Sequence, residues 1–217
     1  MNFDMAGDLV EFDDITCSTV VLADDVASAP PEEREKRRGV AGMVYAFKIA
    51  GAAAEEGRDL DAVTSVAQKA ADACRSVGVA LSPCTVPQAG KPTFEINTAS
   101  AMFLSRSSRR LLATTTIEEA DIAIAATSGV TNPTMAGDHV SIMVNSLGAT
   151  PPEELYILYR IVKQRLDAAG ATIVMPLVGR YATSMEMSGV SFTLCKLDDE
   201  LETLLKAPCD CEFWRVG

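Results

Sequence analysis

Residues able to do chemistry are sparse in this 217-residue chain, and their spacing narrows what they can do. A single histidine, His139, excludes a His-rich metal site and argues against a Ser-His-Asp triad. Six cysteines (17, 74, 84, 195, 209, 211) show no zinc-type pairing; Cys209-Asp210-Cys211 is one C-x-C without a second pair, a weak metal signal. The sequence predicts free, mostly buried thiols, in keeping with a reducing compartment. The carboxylate pairs Asp13-Asp14, Asp24-Asp25 and Asp198-Asp199 fall at predicted element ends, where capping and solvation account for them. Gly90-Lys91-Pro92-Thr93 imitates a phosphate loop and fails as one. The first glycine of that pattern falls on Thr85, and Pro92 stands where the magnesium-binding hydroxyl is needed.

Two stretches remain as candidate pocket or junction loops. In Ser76–Phe94, Pro83, Pro87, Pro92 and Gly90 forbid regular helix and limit sheet pairing, so the loop carrying Ser82, Cys84 and Thr85 is rigid and extended. Such a loop joins two units or walls a pocket, a surface connection without a ligand being the alternative. Asn145-Ser146-Leu147-Gly148-Ala149-Thr150 follows a predicted strand and precedes a helix. Open α/β sheets place ligands there, and free N–H groups suit an anion; a capped turn needing Gly148 is the alternative.

The elements that must position these loops can be read in order. Phe3, Ala6, Leu9 and Val10 predict an opening amphipathic helix, and Ser18–Leu22 a buried strand. Pro30-Pro31-Glu32-Glu33 starts a helical region. Val40, Val44 and Phe47, with the small residues Ala50–Ala54, predict one packing face, ended by Gly57. Asp59 caps a helix with face Leu60, Val63, Ala67, Ala70 and Cys74, running to Arg75 or Ser76, and Val79–Leu81 reads as a short strand. Asn97–Thr116 bounds no element cleanly, and Thr116–Ala126 favours helix from Glu118-Glu119 over a strand from the Ile122/Ile124 alternation. His139–Val144 is a strand, Thr150-Pro151-Pro152-Glu153 a capping box, and Leu155, Tyr159, Val162 and Leu166 a helical stripe stopped by Gly170. Thr172–Val178 completes a βαβ unit with parallel strands. Gly189–Leu197 is a further strand, and Asp198–Leu205 a capped helix. The alternation means α/β.

A net charge of −11 leaves no basic face for nucleic acid. Hydrophobic content of 48% with 23% charged residues is that of a globular chain. No apolar run approaches the roughly 18 residues that span a membrane, and no secretory signal opens the sequence, so a cytoplasmic protein is expected.

Several segments, in order, resemble the substrate-binding subunit of dihydroxyacetone kinase: Met1-Asn2-Phe3, Leu22–Ala27, Arg38–Gly42, Gly51–Glu55, Gly78–Phe94, Val144–Pro151, Thr183–Gly189 and Leu197–Glu200. The resemblance implies part of one α/β domain (1–76, the C-terminal part of the first kinase domain), then a second α/β domain with a βαβ unit (77–217, altered at 97–136). It implies phosphoryl transfer to dihydroxyacetone (glycerone), held covalently by a histidine as a hemiaminal. ATP, or ADP on a nucleotide-binding partner domain or subunit, supplies the phosphate, so no cofactor belongs to this chain. A homo-oligomer is expected, with neither nucleic acid nor membrane as partner.

The chain departs from that pattern at its chemical points. The family's Gly-Gly-Gly-Ser-Gly-His-Glu-Pro loop and its substrate-contacting Asp belong upstream of Met1, which makes the chain N-terminally truncated against the family. The Gly-Ile-His-Gly-Glu-Pro-Gly segment with the covalent His should follow Ile96, where Asn97-Thr98-Ala99-Ser100 stands. His139 aligns with a variable position. No catalytic residue carries over, so two readings are open: an incomplete kinase subunit, or a non-catalytic kinase-like paralogue that binds or regulates an intact one.

Overall fold

The computed structural model describes residues 2–94, 102–103 and 136–217. The readings for residues 97–136 lie outside these, apart from positions 102, 103 and 136.

The chain opens with α1 (Asn2–Glu11), as its periodicity predicts, but Met5 and Leu9 on it stay exposed. Ser18–Leu22 is not a strand. Its β-branched run suits one, yet the backbone of another strand must lie alongside to complete a ladder, and none among the described residues does. The chain first meets the sheet at Asp25, in a parallel bridge to Ser76.

A 3-10 helix (Pro31–Lys36) leads to α2 (Gly42–Glu55), whose buried side is Tyr45, Ala46, Ile49 and Ala53. Phe47, expected on the packing face, is 70% exposed. The helix is apolar nearly all round, so spacing alone does not choose its inner side. Gly57, at φ +79°, ends it as predicted. Asp59 caps α3 (Leu60–Ala73) by accepting from the Ala62 N–H at 2.9 Å. The helix then passes straight into β1 (Cys74–Ala80). The predicted strand at Val79–Leu81 thus starts five residues earlier, because all seven residues of β1 pair with a neighbour.

β2 (Met102–Phe103) adds a short edge. β3 (His139–Ser146), α4 (Pro152–Ala168), β4 (Thr172–Ile173) and β5 (Leu177–Gly179) form the expected βαβ unit, with β4 and β5 both parallel to β3. Met175, at φ +49° and followed by Pro176, splits the predicted strand in two. β6 (Gly189–Leu197) and α5 (Asp199–Lys206, capped by Asp198) follow, then a small hairpin, β7 (Cys209–Cys211) and β8 (Trp214–Val216).

The main sheet runs β2-β1-β6-β3-β4, with β5 also on β3. β6 is antiparallel to both β1 and β3, so β1 and β3 point the same way. Strand alternation sends Val140, Ile142 and Val144 toward Leu155, Val162 and Leu166 of α4, while Met143, Cys195 and Leu197 meet Tyr45, Ile49 and Leu204 of α2 and α5. Helices therefore cover both faces, the α/β arrangement the sequence predicts. The expected boundary between residues 76 and 77 falls within β1.

Candidate functional site

With β1, β3 and β5 pointing the same way, their carboxyl ends share one edge of the sheet with the start of β6. Three loops meet there: Ser82–Phe94, Leu147–Thr150 and Arg180–Ser188. Ala80, Cys84, Leu147 and Met187 form a small apolar core beneath them, with Phe94 against it. All six sequence candidates, Ser82, Cys84, Thr85, Asn145, Gly148 and Thr150, come together at this edge.

Each is engaged in holding the loops. Leu81 donates to the Ser188 carbonyl at 2.8 Å, and the Ser188 N–H returns a bond to Ser82 Oγ at 2.8 Å. Cys84 Sγ lies 3.4 Å from Ser184 Oγ and 3.5 Å from Thr93 Oγ1. The Thr85 N–H donates to Glu186 Oε1 at 2.8 Å. Asn145 is fully buried: its Oδ1 accepts from the Tyr181 and Ala182 N–H groups, and its Nδ2 donates to the Ala182 carbonyl and Ser191 Oγ. Thr150 Oγ1 donates to the Gly189 carbonyl and accepts from the Gly189 N–H.

Gly148 sits at φ +152°, where a Cβ would come within 2.1 Å of the Met185 carbonyl oxygen, so only glycine allows the two loops to approach. Its N–H is held by Ser146 Oγ and its carbonyl by Arg180 Nη2. The predicted capping box does not form. Pro151 is the N-cap, and Thr150 is occupied with Gly189 instead. Pro151 and Pro152 lack N–H groups, and Glu153 and Glu154 occupy the first turn, so charge there opposes an anion.

Sequence reading gave no site role to Arg180, Ser184 or Glu186. Backbone N–H groups, its own and that of Thr85, hold the Glu186 carboxyl below its usual range. The Thr183–Gly189 stretch signalled importance only through the family resemblance. Among the described residues the edge presents hydroxyls, the Arg180 guanidinium and the Glu186 carboxylate, groups able to hydrogen-bond a small polyhydroxylated ligand.

It presents no imidazole. His139 stands at the opposite end of β3, its Nδ1 2.6 Å from Glu202 Oε2 on α5. Of the carboxylate pairs, Asp198 caps as expected, but Asp24 and Asp25 are buried, not solvated. Asp24 accepts from the Val40 and Gly42 N–H groups and from Ser76 Oγ, which fastens the start of α2 to β1. Burial raises the Asp25 pKa, against the opposing pull of Arg38 bonded at 2.7 Å.

All six cysteines are free, and three are buried rather than most. Cys74 faces Cys195 across β1 and β6; their hydrogen bond, then burial, pushes the Cys74 thiol well up, so it is inert as a nucleophile. Among the described residues no cluster of three or more His, Cys, Asp or Glu can hold a metal, Cys209 and Cys211 included. No described helix is long and apolar enough to cross a membrane. A cavity of about 980 Å³ opens elsewhere, between α2 and the β7–β8 hairpin. Met43, Phe47, Phe213 and Trp214 line it, and Lys48 beside them already donates to the Leu204 and Ala207 carbonyls.

Comparison with known proteins matches residues 1–213 to the Dak1 domain. The dihydroxyacetone-binding subunit DhaK of PTS-dependent dihydroxyacetone kinase 2 from Listeria innocua is 43% identical over 220 residues, which cover 100% of this chain and 66% of that protein. L-erythrulose kinase of Pectobacterium atrosepticum is 38% identical over 98% of this chain and 39% of its own length. Among solved structures, the dihydroxyacetone kinase operon co-activator DhaQ superposes with a TM-score of 0.83 at 27% identity, covering 95% of this chain and 65% of that one. The chain thus spans about two-thirds of the binding-subunit relative and about two-fifths of the erythrulose kinase.

Proposed function

We propose a function from one premise: the chain belongs to the Dak1 domain family. It serves phosphoryl transfer to a short hydroxyketone of the dihydroxyacetone class as a substrate-side scaffold, not as a complete kinase. The nucleotide, ATP or ADP, sits on a partner domain or subunit, and the chain self-associates in the cytoplasm. The relatives named for dihydroxyacetone and erythrulose support this substrate class, since both are short hydroxyketones.

The position of His139 carries the reading. Hemiaminal capture needs an imidazole within bonding reach of the ketone, and the one imidazole of these 217 residues lies at the far end of an eight-residue strand. At ~3.3 Å per residue that places it roughly 20 Å from the loop edge. Any covalent step must draw its histidine from outside these residues.

The test is an assay of the purified 217-residue chain with dihydroxyacetone, Mg-ATP and a nucleotide-binding kinase subunit, with mass spectrometry after chemical reduction. No dihydroxyacetone phosphate and no covalent adduct are expected. Turnover or an adduct would overturn the scaffold reading.

The likeness to the co-activator DhaQ favours a second reading, a non-catalytic paralogue acting as binding or regulatory partner of an intact subunit. Stable co-purification with an intact dihydroxyacetone-binding subunit, leaving its turnover to that subunit's own histidine, would select this one.

A further inference from the structure

The β7–β8 hairpin carries two of the six free cysteines, two positions apart on one strand. Strand alternation puts residues 209 and 211 on the same face and Asp210 on the other, where it pairs with Arg215 at 2.7 Å. Both thiols rest on one atom. Cys209 Sγ is 3.7 Å and Cys211 Sγ 3.3 Å from the Trp214 carbonyl oxygen, so the two sulfurs are neighbours. Cys209 is half-buried and Cys211 exposed, which leaves them reachable where Cys74 and Cys195 are not.

The same two cysteines and Trp214 line the cavity of about 980 Å³ between α2 and the hairpin. Met43, Phe47 and Phe213 make its walls largely apolar, so the space beside the sulfurs favours a ligand that sheds water readily. The hydroxyl-rich loop edge uses neither these thiols nor this cavity.

What two neighbouring thiols can hold follows from their number and softness. Among the described residues no third His, Cys, Asp or Glu joins them, and zinc takes four ligands. Thiolates are soft and select copper(I), a closed-shell ion for which two sulfurs complete a linear shell. A direct disulfide fits less well. Cα atoms two residues apart on a strand are roughly 6.6 Å apart, at the far limit of what a disulfide spans. An ion between the sulfurs lengthens the bridge: with metal–sulfur bonds of about 2.3 Å they stand up to ~4.6 Å apart.

The surrounding charge agrees. Two thiolates with copper(I) make a monoanion, and Lys48 holds its ammonium 2.6 Å from the Ala207 carbonyl, just ahead of β7. Glu55 and Glu56 also line the cavity, about 10 Å further along α2, and Glu56 is bonded to Arg58.

We propose that Cys209 and Cys211 form a two-thiolate binding site for copper(I). As each sulfur–copper bond forms, its thiol gives a proton to solvent, and no electron is transferred.

The reduced 217-residue chain is titrated without oxygen against copper(I) held by bicinchoninate, whose colour reports the ion it loses. Fluorescence of Trp214, the single tryptophan of the chain, is followed in parallel. Transfer of one ion per chain with quenching of Trp214 is expected, and zinc(II) at the same concentration should leave the fluorescence unchanged. Cys209→Ser and Cys211→Ser should each weaken binding by more than the roughly hundredfold that loss of an outer-shell partner costs. Cys17→Ser, which removes an exposed thiol elsewhere, should leave affinity unchanged. If Cys209→Ser does not fold, Cys211→Ser at the exposed position decides alone. Copper(I) that stays on the chelator, transfer without quenching, or undiminished affinity in Cys211→Ser would overturn the site. One ion per two chains would overturn it as well, by moving the thiolates to a contact between copies.

Discussion

The amide of Asn145 uses both of its ends inside the fold, joining β3 to the loop after β5 and to Ser191 on β6. Replacing it by alanine strands two N–H groups and a carbonyl in a buried place. At ~1–3 kcal/mol for each unsatisfied buried group, with partial relaxation, Asn145→Ala should cost about 3 kcal/mol in urea unfolding. A loss below about 1 kcal/mol would mean that water replaces the amide and the loop edge is wetter than its burial implies. The position of Asn145 was legible in the sequence, because a polar residue at a strand's carboxyl end draws attention. Its partners were not. Tyr181, Ala182 and Ser191 lie thirty to fifty residues away, and no local pattern reveals a contact made by sheet topology. Asp24 teaches the same point: a vicinal acid pair reads as solvated until α2 and β1 are seen closing over it.

Elements with a strict period or a cap were legible, and elements that depend on a neighbour were not. α3 and α5 begin where Asp59 and Asp198 predict, because a capping side chain acts within its own turn. Ser18–Leu22 failed as a strand for want of an adjacent ladder among the described residues, and α2 turned a different side inward because its sequence is apolar nearly all round. The structure shows what holds α2: Tyr45 is fully buried, with its OH 2.9 Å from Ser141 Oγ of β3. By contrast, Lys69 and Arg58 tie α3 and the turn before it to α5 through exposed pairs with Asp198 and Glu200. Burial should matter more than these charges. Tyr45→Ala should cost about 3–5 kcal/mol as a large-to-small core change, and Lys69→Ala less than about 1 kcal/mol. Equal losses in chemical denaturation would show that the ion pairs, not the aromatic core, fix the helices.

At the scale of the whole molecule, stability concentrates in the middle of the sheet. β6 carries a continuous ladder on each side, against β1 and β3, and both faces of that trio are covered by helices. The opening segment contributes little to this. Met5, Leu9, Phe12, Ile15 and Val21 are all exposed, so the amphipathic pattern of α1, plain in the sequence, finds no apolar partner among the described elements. Attachment begins only at Leu22, which packs against Gly39, and at Asp24, whose carboxylate fastens α2 to β1. Chain that buries no apolar surface adds no hydrophobic term, while ordering it costs entropy. A variant beginning at Val21 should therefore unfold within about 1 kcal/mol of the full chain. Hydrogen exchange should find β1, β3 and β6 amides slowest in both, and those of residues 5–21 fast in the full chain. A loss of several kcal/mol on shortening, or slow exchange in α1, would mean that α1 buries its apolar side in solution, most simply against a second copy of the chain, and a concentration-dependent midpoint would then identify that partner.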